Sequence, residues 1–166
     1  TTSPGNDNSP SYSPDGKYLG YLSMTTAGFE SDRQQLMLYE RATGRRLAVT
    51  PKWDLSISAF RWVPDAKAVI AEVEDHGGHA LYKIEIPGGQ VRRVFAGGTA
   101  SNPQVAPRGD VMVFLHSSAD HPPEVWSSNT EGRAARPVTR VTDSLINKYD
   151  LRPAEGLQFM GAQGDS

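Results

Sequence analysis

An all-β fold, a partial β-propeller of about three four-stranded antiparallel blades, is what this sequence predicts, and three observations carry the prediction. One stretch occurs three times: SPSYSPDGKYLGYLS at residues 9–23, SAFRWVPDAKAVIAEVE at 58–74 and SNPQVAPRGDVMVFLHS at 101–117, with Pro14, Pro64 and Pro107 spaced by 50 and 43 residues. A later turn glycine, Gly44, Gly89 and Gly132, keeps nearly the same period. The apolar stretches are short, rich in Val, Ile, Tyr, Phe and Trp, and punctuated by 16 Gly and 12 Pro, so helices of ten or more residues have nowhere to fit. Repeats of this length also describe helix-pair arrays; the short β-rich stretches decide against them.

The elements follow in order. In the first unit a short strand at 11–13 meets the turn Pro14-Asp15-Gly16, in which proline presets φ, Asp bonds the backbone ahead and Gly accepts positive φ. A longer strand at 18–23, a polar connection at 24–35, a strand at 36–39, the turn 41–44 and a strand at 46–50 complete one blade. The second unit repeats this as 59–62, 68–74, 81–86, the turn 87–89 and 91–95. The third repeats it as 104–105, 111–117, 124–128, the turn 130–132 and 136–140. The expected organisation is a flexible segment at 1–8, blades at 9–50, 57–96 and 101–141 within 9–149, and a departure from the repeat at 150–166 that reads as the start of a linker towards another domain. Three blades fall short of the 4 to 8 that close a propeller. The expectation is therefore a piece of a larger ring, or self-association of the open blade array.

Composition narrows the function classes. Seventeen basic against nineteen acidic side chains leave a formal charge of −2, which gives no reason to expect nucleic acid or an acidic membrane as partner. The longest apolar run, residues 111–115, is far short of the roughly 20 residues of a membrane helix, so a soluble chain is expected. The absence of cysteine removes disulfides and thiolate metal sites and leaves the compartment, cytoplasmic or periplasmic, open. Residues 1–10 have no basic n-region or apolar core and do not read as a signal peptide.

Few residues offer chemistry. No G-x-S-x-G pentapeptide is present to form a nucleophile elbow. Ser117, Ser118, Asp120 and His121 crowd one hairpin tip, whereas the members of a triad arrive from separate elements. His76-Gly77-Gly78-His79 offers two imidazoles where zinc takes three or four protein ligands, so no metal is assigned and the stretch reads as a turn. Tyr12, Tyr18, Tyr21, Phe60, Trp62, Phe114 and Trp126 recur on strands and are expected to pack between blades; Trp53 reads as a plug there. The stretch AGFESDR at 27–33 is different. It is longer than a hairpin needs and gathers Phe29, Glu30, Asp32 and Arg33, the kind of loop on a rigid scaffold that carries binding residues. The competing reading is that Asp32 and Arg33 pair, with each other or a neighbour, and pin the loop.

The segments SPSYSPDGKYLGYLSM, AGFESDRQQLMLYERATG, WDLSISAFRWVPDAKAV, HPPEVWSSNTEG with RPVTRVTDSLI, and EGLQFMGAQGDS resemble, in this order, the propeller half of a prolyl oligopeptidase family serine peptidase. The branch most similar is the bacterial dipeptidyl-peptidase V and acylaminoacyl-peptidase group, and the resemblance covers residues 9–166. It implies a missing α/β-hydrolase domain that carries the catalytic serine. On this chain it implies a non-catalytic propeller that gates access and helps recognise the N-termini of peptide substrates, inactive alone and without a cofactor. By that resemblance Glu30, then Asp32, would hold the substrate ammonium, with Phe29 as an apolar wall and Arg33 beside them. The adjacent Glu-Glu pair that some members use is absent. The alternative is a non-enzymatic protein-binding propeller of TolB type, also suggested by the SPDG hairpins.

Overall fold

In the computed structural model, which describes residues 1–157 and 159–162, twelve strands form three four-stranded antiparallel units. The first comprises β1 (Asp7–Tyr12), β2 (Tyr18–Ser23), β3 (Gln35–Glu40) and β4 (Arg46–Ala48), in spatial order β1-β2-β3-β4. The second is β5 (Ile57–Trp62), β6 (Ala68–Asp75), β7 (Gly78–Glu85) and β8 (Val91–Phe95). The third is β9 (Thr99–Val105), β10 (Met112–Ser118), β11 (His121–Ser128) and β12 (Arg136–Pro137). A parallel pair between His79 of β7 and Thr99 of β9 joins the second and third units at one edge. A one-turn helix, α1 (Asp143–Ile146), follows the third unit. No helix among the described residues is long and apolar enough to cross a membrane.

The hairpin turns form as their chemistry dictates. Gly16 and Gly109 sit at φ +70° and +76°, and Ala66, which stands at the same place in the second unit, is held at +60°, a region costly for a residue with a Cβ. In the first turn the Ser13 hydroxyl donates to Asp15, and the Asp15 carboxylate in turn accepts from the Lys17 amide at 3.0 Å.

The first strand of each unit starts earlier than the sequence suggests: β1 at Asp7, β5 at Ile57 and β9 at Thr99. Asp7 and Asn8, in the stretch expected to be a free N-terminal segment, pair with Ser23 and Leu22. Each of these strands carries a bulge, between Asn8 and Ser11, between Ile57 and Ala59, and at Ser101–Gln104 opposite β10. Ser9 and Asn102, both at φ +52° and both followed by proline, mark two of them. A bulge inserts an unpaired residue and lets the ladder tolerate proline, which hides the strand from a reading by alternation.

Strand alternation sends β6 and β7 in two directions. Val69, Ala71, Val73, Ala80, Tyr82 and Ile84 pack against Tyr18, Leu22, Leu36 and Leu38 of the first unit. Ala68, Ile70 and Leu81 pack against Met112 and Phe114 of the third. The second blade is thus buried on both faces. That explains its near-continuous apolar run, where an exposed sheet would alternate. Gly89 and Gly132 fix how closely blades approach: a Cβ at either would overlap the carbonyl oxygen of Val49 or Val94 in the preceding blade. Glu131, in the same turn as Gly132, reaches back to Lys83 at 2.5 Å and to Arg92. Trp53 packs edge-on against Tyr82, ring centroids 5.0 Å apart, between the first two blades.

Candidate functional site

The connections β2–β3, β6–β7 and β10–β11 leave the stacked blades at one common edge, together with the links between blades. The longest of them, residues 24–34, carries the candidate residues. Gly28, at φ +70°, turns the chain, and the Asp32 amide donates to the Phe29 carbonyl at 3.1 Å.

Asp32 closes this loop on itself. Its Oδ2 accepts from the Thr25 amide at 2.8 Å, the Thr25 hydroxyl at 2.9 Å and the Thr26 amide at 2.7 Å. These bonds, the Thr26 amide first and the Thr25 hydroxyl next, favour the anion and lower its pKa to about 2. Arg33 ties the loop to the next blade. Its guanidinium donates to the carbonyls of Thr50 and Pro51, each at 3.3 Å, and to that of Trp53. Both charged side chains are therefore occupied, Asp32 by the loop and Arg33 by the link between blades. They make no side-chain pair with each other; from Arg33 the Asp32 carboxylate accepts the backbone amide and not the guanidinium.

Glu30 and Phe29 point away from these contacts. Phe29 is 54% exposed, and the Glu30 carboxylate makes no hydrogen bond or ion pair among the described residues. Both line an open cavity of ≈ 310 Å³ with Asn6, Met24, Thr26 and Gly28. A carboxylate beside an apolar ring can accept a charge-assisted hydrogen bond from an ammonium while the ring covers an adjoining side chain.

The other candidates meet different surroundings. At the β10–β11 tip the Ser118 hydroxyl donates to Asp120 at 2.6 Å, not to His121, whose Nδ1 lies 3.2 Å from the Pro122 carbonyl and whose Nε2 lies 3.5 Å from Asp143. No serine–histidine pair forms there. In the β6–β7 turn His76 faces Asp75, and the His79 Nδ1 lies 3.1 Å from Glu72, so the two imidazoles turn to separate carboxylates. No group of three metal-binding side chains occurs among the described residues. Glu124, unremarked in sequence beyond its place in the PPEVW stretch, is a buried anchor. It accepts from the Thr139 hydroxyl and from the Thr142 amide at 2.9 Å, bonds that lower its pKa to about 2 and hold the entry to α1. The signal for it was a lone acid between prolines and a tryptophan. Of the segment 150–166, Gln158 and residues 163–166 lie outside the described residues.

Comparison with known proteins extends this picture. No family model matches the chain. Dipeptidyl-peptidase 5 of Porphyromonas gingivalis is 29% identical over 144 residues, which span 87% of this chain and 21% of that protein. The chain thus matches about a fifth of that curated relative's length. Among solved structures, acylaminoacyl peptidase of Pyrococcus horikoshii superposes with a TM-score of 0.66 at 16% identity, over 81% of this chain and 20% of the other. TolB of Acinetobacter baumannii superposes with a TM-score of 0.61 at 21% identity, over 82% and 33%. The structural likenesses speak for the β-propeller fold. The sequence likeness bears out the resemblance to the propeller portion of a prolyl oligopeptidase family peptidase.

Proposed function

We propose that this chain is the substrate-selecting part of a serine exopeptidase of the dipeptidyl- or acylaminoacyl-peptidase type, gating access and holding peptide N-termini. The reaction itself belongs to an α/β-hydrolase domain that this chain does not contain. The observation that carries the reading is the division of labour in the 24–34 loop: Asp32 and Arg33 hold its shape, leaving Glu30 and Phe29 presented beside one cavity. In this scheme the Glu30 carboxylate accepts from the substrate ammonium, and Phe29 packs against the first side chain.

The test is a titration of the chain, followed by the amide resonances of Phe29 and Glu30, with a tripeptide bearing a free N-terminus and with its Nα-acetylated counterpart. The free amine is expected to shift both resonances and the acetylated peptide neither. Glu30→Gln is expected to weaken binding about tenfold, the scale of one charge-assisted hydrogen bond at an exposed site. An equal response to both peptides would overturn the role of Glu30.

A further inference from the structure

The loop that presents Glu30 and Phe29 does not stand on its own blade alone. Its last two residues are seated on the link between the first and second blades. The Trp53 amide donates to the Thr50 carbonyl at 3.1 Å and closes residues 50–53 into a tight turn. In that turn the carbonyls of Thr50 and Trp53 accept from Nη1 of Arg33, and the carbonyl of Pro51 accepts from its Nη2. A guanidinium holds its donors in a rigid planar fork, so three converging carbonyls fix its plane as well as its distance. Beside it the Gln34 amide donates to the Ser56 hydroxyl at 3.2 Å, and the Ile57 amide donates to the Gln34 carbonyl at 3.0 Å.

The second blade fixes the turn. The Trp53 ring meets Tyr82 edge-on, and Tyr82 is 9% exposed. The Tyr82 hydroxyl donates to the Asp75 carboxylate at 2.8 Å, which also takes Arg93 at 3.3 Å. The contacts of Asp75 with His76 first and Tyr82 next hold its carboxyl below the usual carboxylate range, so the acceptor stays ionised. The following link has neither part. Val49 and Val94 hold the same place, each meeting the turn glycine of the next blade. Four residues beyond Val94 stands Gly98, where Trp53 stands beyond Val49, and the tip that Gly98 meets is the two-residue turn His76-Gly77. The aromatic seat occurs where the long loop does.

We propose that Trp53, seated on Tyr82, is a positioning residue for recognition of the peptide N-terminus, and that it acts through Arg33. The turn it anchors holds the guanidinium fork, and the fork sets where Phe29 and Glu30 stand before any peptide arrives. Neither Arg33 nor Trp53 lines the cavity. The inference rests on the reading of the 24–34 loop as the recognition element, and adds that its selectivity depends on the second blade. A loop already held in its binding shape loses less freedom when the ligand arrives, and so binds more tightly.

Two readouts on the full chain test this: the amide resonances of Phe29 and Glu30 without peptide, and the affinity for the tripeptide with a free N-terminus. Arg33→Lys keeps the charge but loses the fork, and Trp53→Leu keeps an apolar side chain but loses the ring. Each is expected to shift both resonances and to weaken the tripeptide about tenfold, the scale of ordering one or two side chains afresh on binding. Trp53→Phe, which keeps a ring against Tyr82, is expected to restore both readouts. In the Arg33→Lys background Trp53→Leu should shift neither resonance further, because fork and turn act as one unit. Resonances unmoved by either single variant would overturn the proposal, and so would shifted resonances with unchanged affinity. Arg33→Lys leaves the core untouched, so it decides the matter even where Trp53→Leu does not fold. A wild-type chain that binds no peptide would overturn the recognition reading instead, while the peptide-free resonances would still decide whether Trp53 places the loop.

Discussion

The second and third blades are built from the same strand pattern, yet one is core throughout and the other is core on a single face. Ile70 on β6 and Val113 on β10 occupy equivalent positions, opposite Arg61 and Gln104 of the preceding strand. Ile70 is fully buried between blades, and Val113 is 38% exposed. The difference lies in no local feature of either strand. It lies in whether a further blade covers that face, so burial in a blade array is conferred by neighbours and not by the strand's own sequence.

The sharpest way to break this comparison is to truncate both positions. Ile70→Ala is expected to lower unfolding stability by about 2–5 kcal/mol, through lost burial and the cavity left behind. Val113→Ala should cost roughly 0.5 kcal/mol or less in the monomer. Urea denaturation of the two variants at low protein concentration decides it, and equal losses would mean that the third blade is covered after all.

The turn glycines give a smaller but more local contrast. Gly132→Ala forces a Cβ both into a left-handed backbone and onto the Val94 carbonyl, whereas Gly44→Ala meets the backbone conformation alone, a cost of about 1–2 kcal/mol. Thermal melts are expected to rank Gly132→Ala clearly below Gly44→Ala.

The smallest effect expected is confined to the 24–34 loop. The Asp32 pKa is lowered to about 2 in the folded chain from an ordinary 3.8. Its contribution is therefore complete above pH 4 and is lost as pH falls through 2. Protection of the Thr25 and Thr26 amides, taken relative to their intrinsic exchange rates, should fall over that window while β6 amides stay protected. Simultaneous loss of both would show that the loop is no separate unit. Asp32→Asn is expected to give the open-loop exchange already at neutral pH.

Much of the fold was legible because it is written in short-range chemistry. The proline-led turns at 14, 64 and 107 and the glycines at 44, 89 and 132 each need only their own few residues to declare a reversal of the chain. The bulged first strands were not legible over their full length. Ser9-Pro10 and Asn102-Pro103 look like strand breakers until a partner strand shows the unpaired residue being accommodated. In the candidate site, sequence singled out the loop and its four residues but left open which of them are occupied. Asp32 bonds amides six and seven residues away, and Arg33 reaches carbonyls 17 to 20 residues away. The first contacts exist only once the loop has closed on itself, and the second only once it lies against the link to the next blade.

By itself, then, the sequence determined that this chain makes short antiparallel strands in three repeated units, in which order, and where each turns, since φ preferences and two-residue alternation act within a hairpin. Only the tertiary structure decided which apolar faces are covered, which turn glycine meets a carbonyl, and that Glu30 and Phe29 are left exposed where Asp32 and Arg33 are spent. The glycine contacts join residues about 40 apart in the chain and the pairings of Asp32 and Arg33 join groups 6 to 20 apart, and the same valine is core at 49 and 94 and surface at 138.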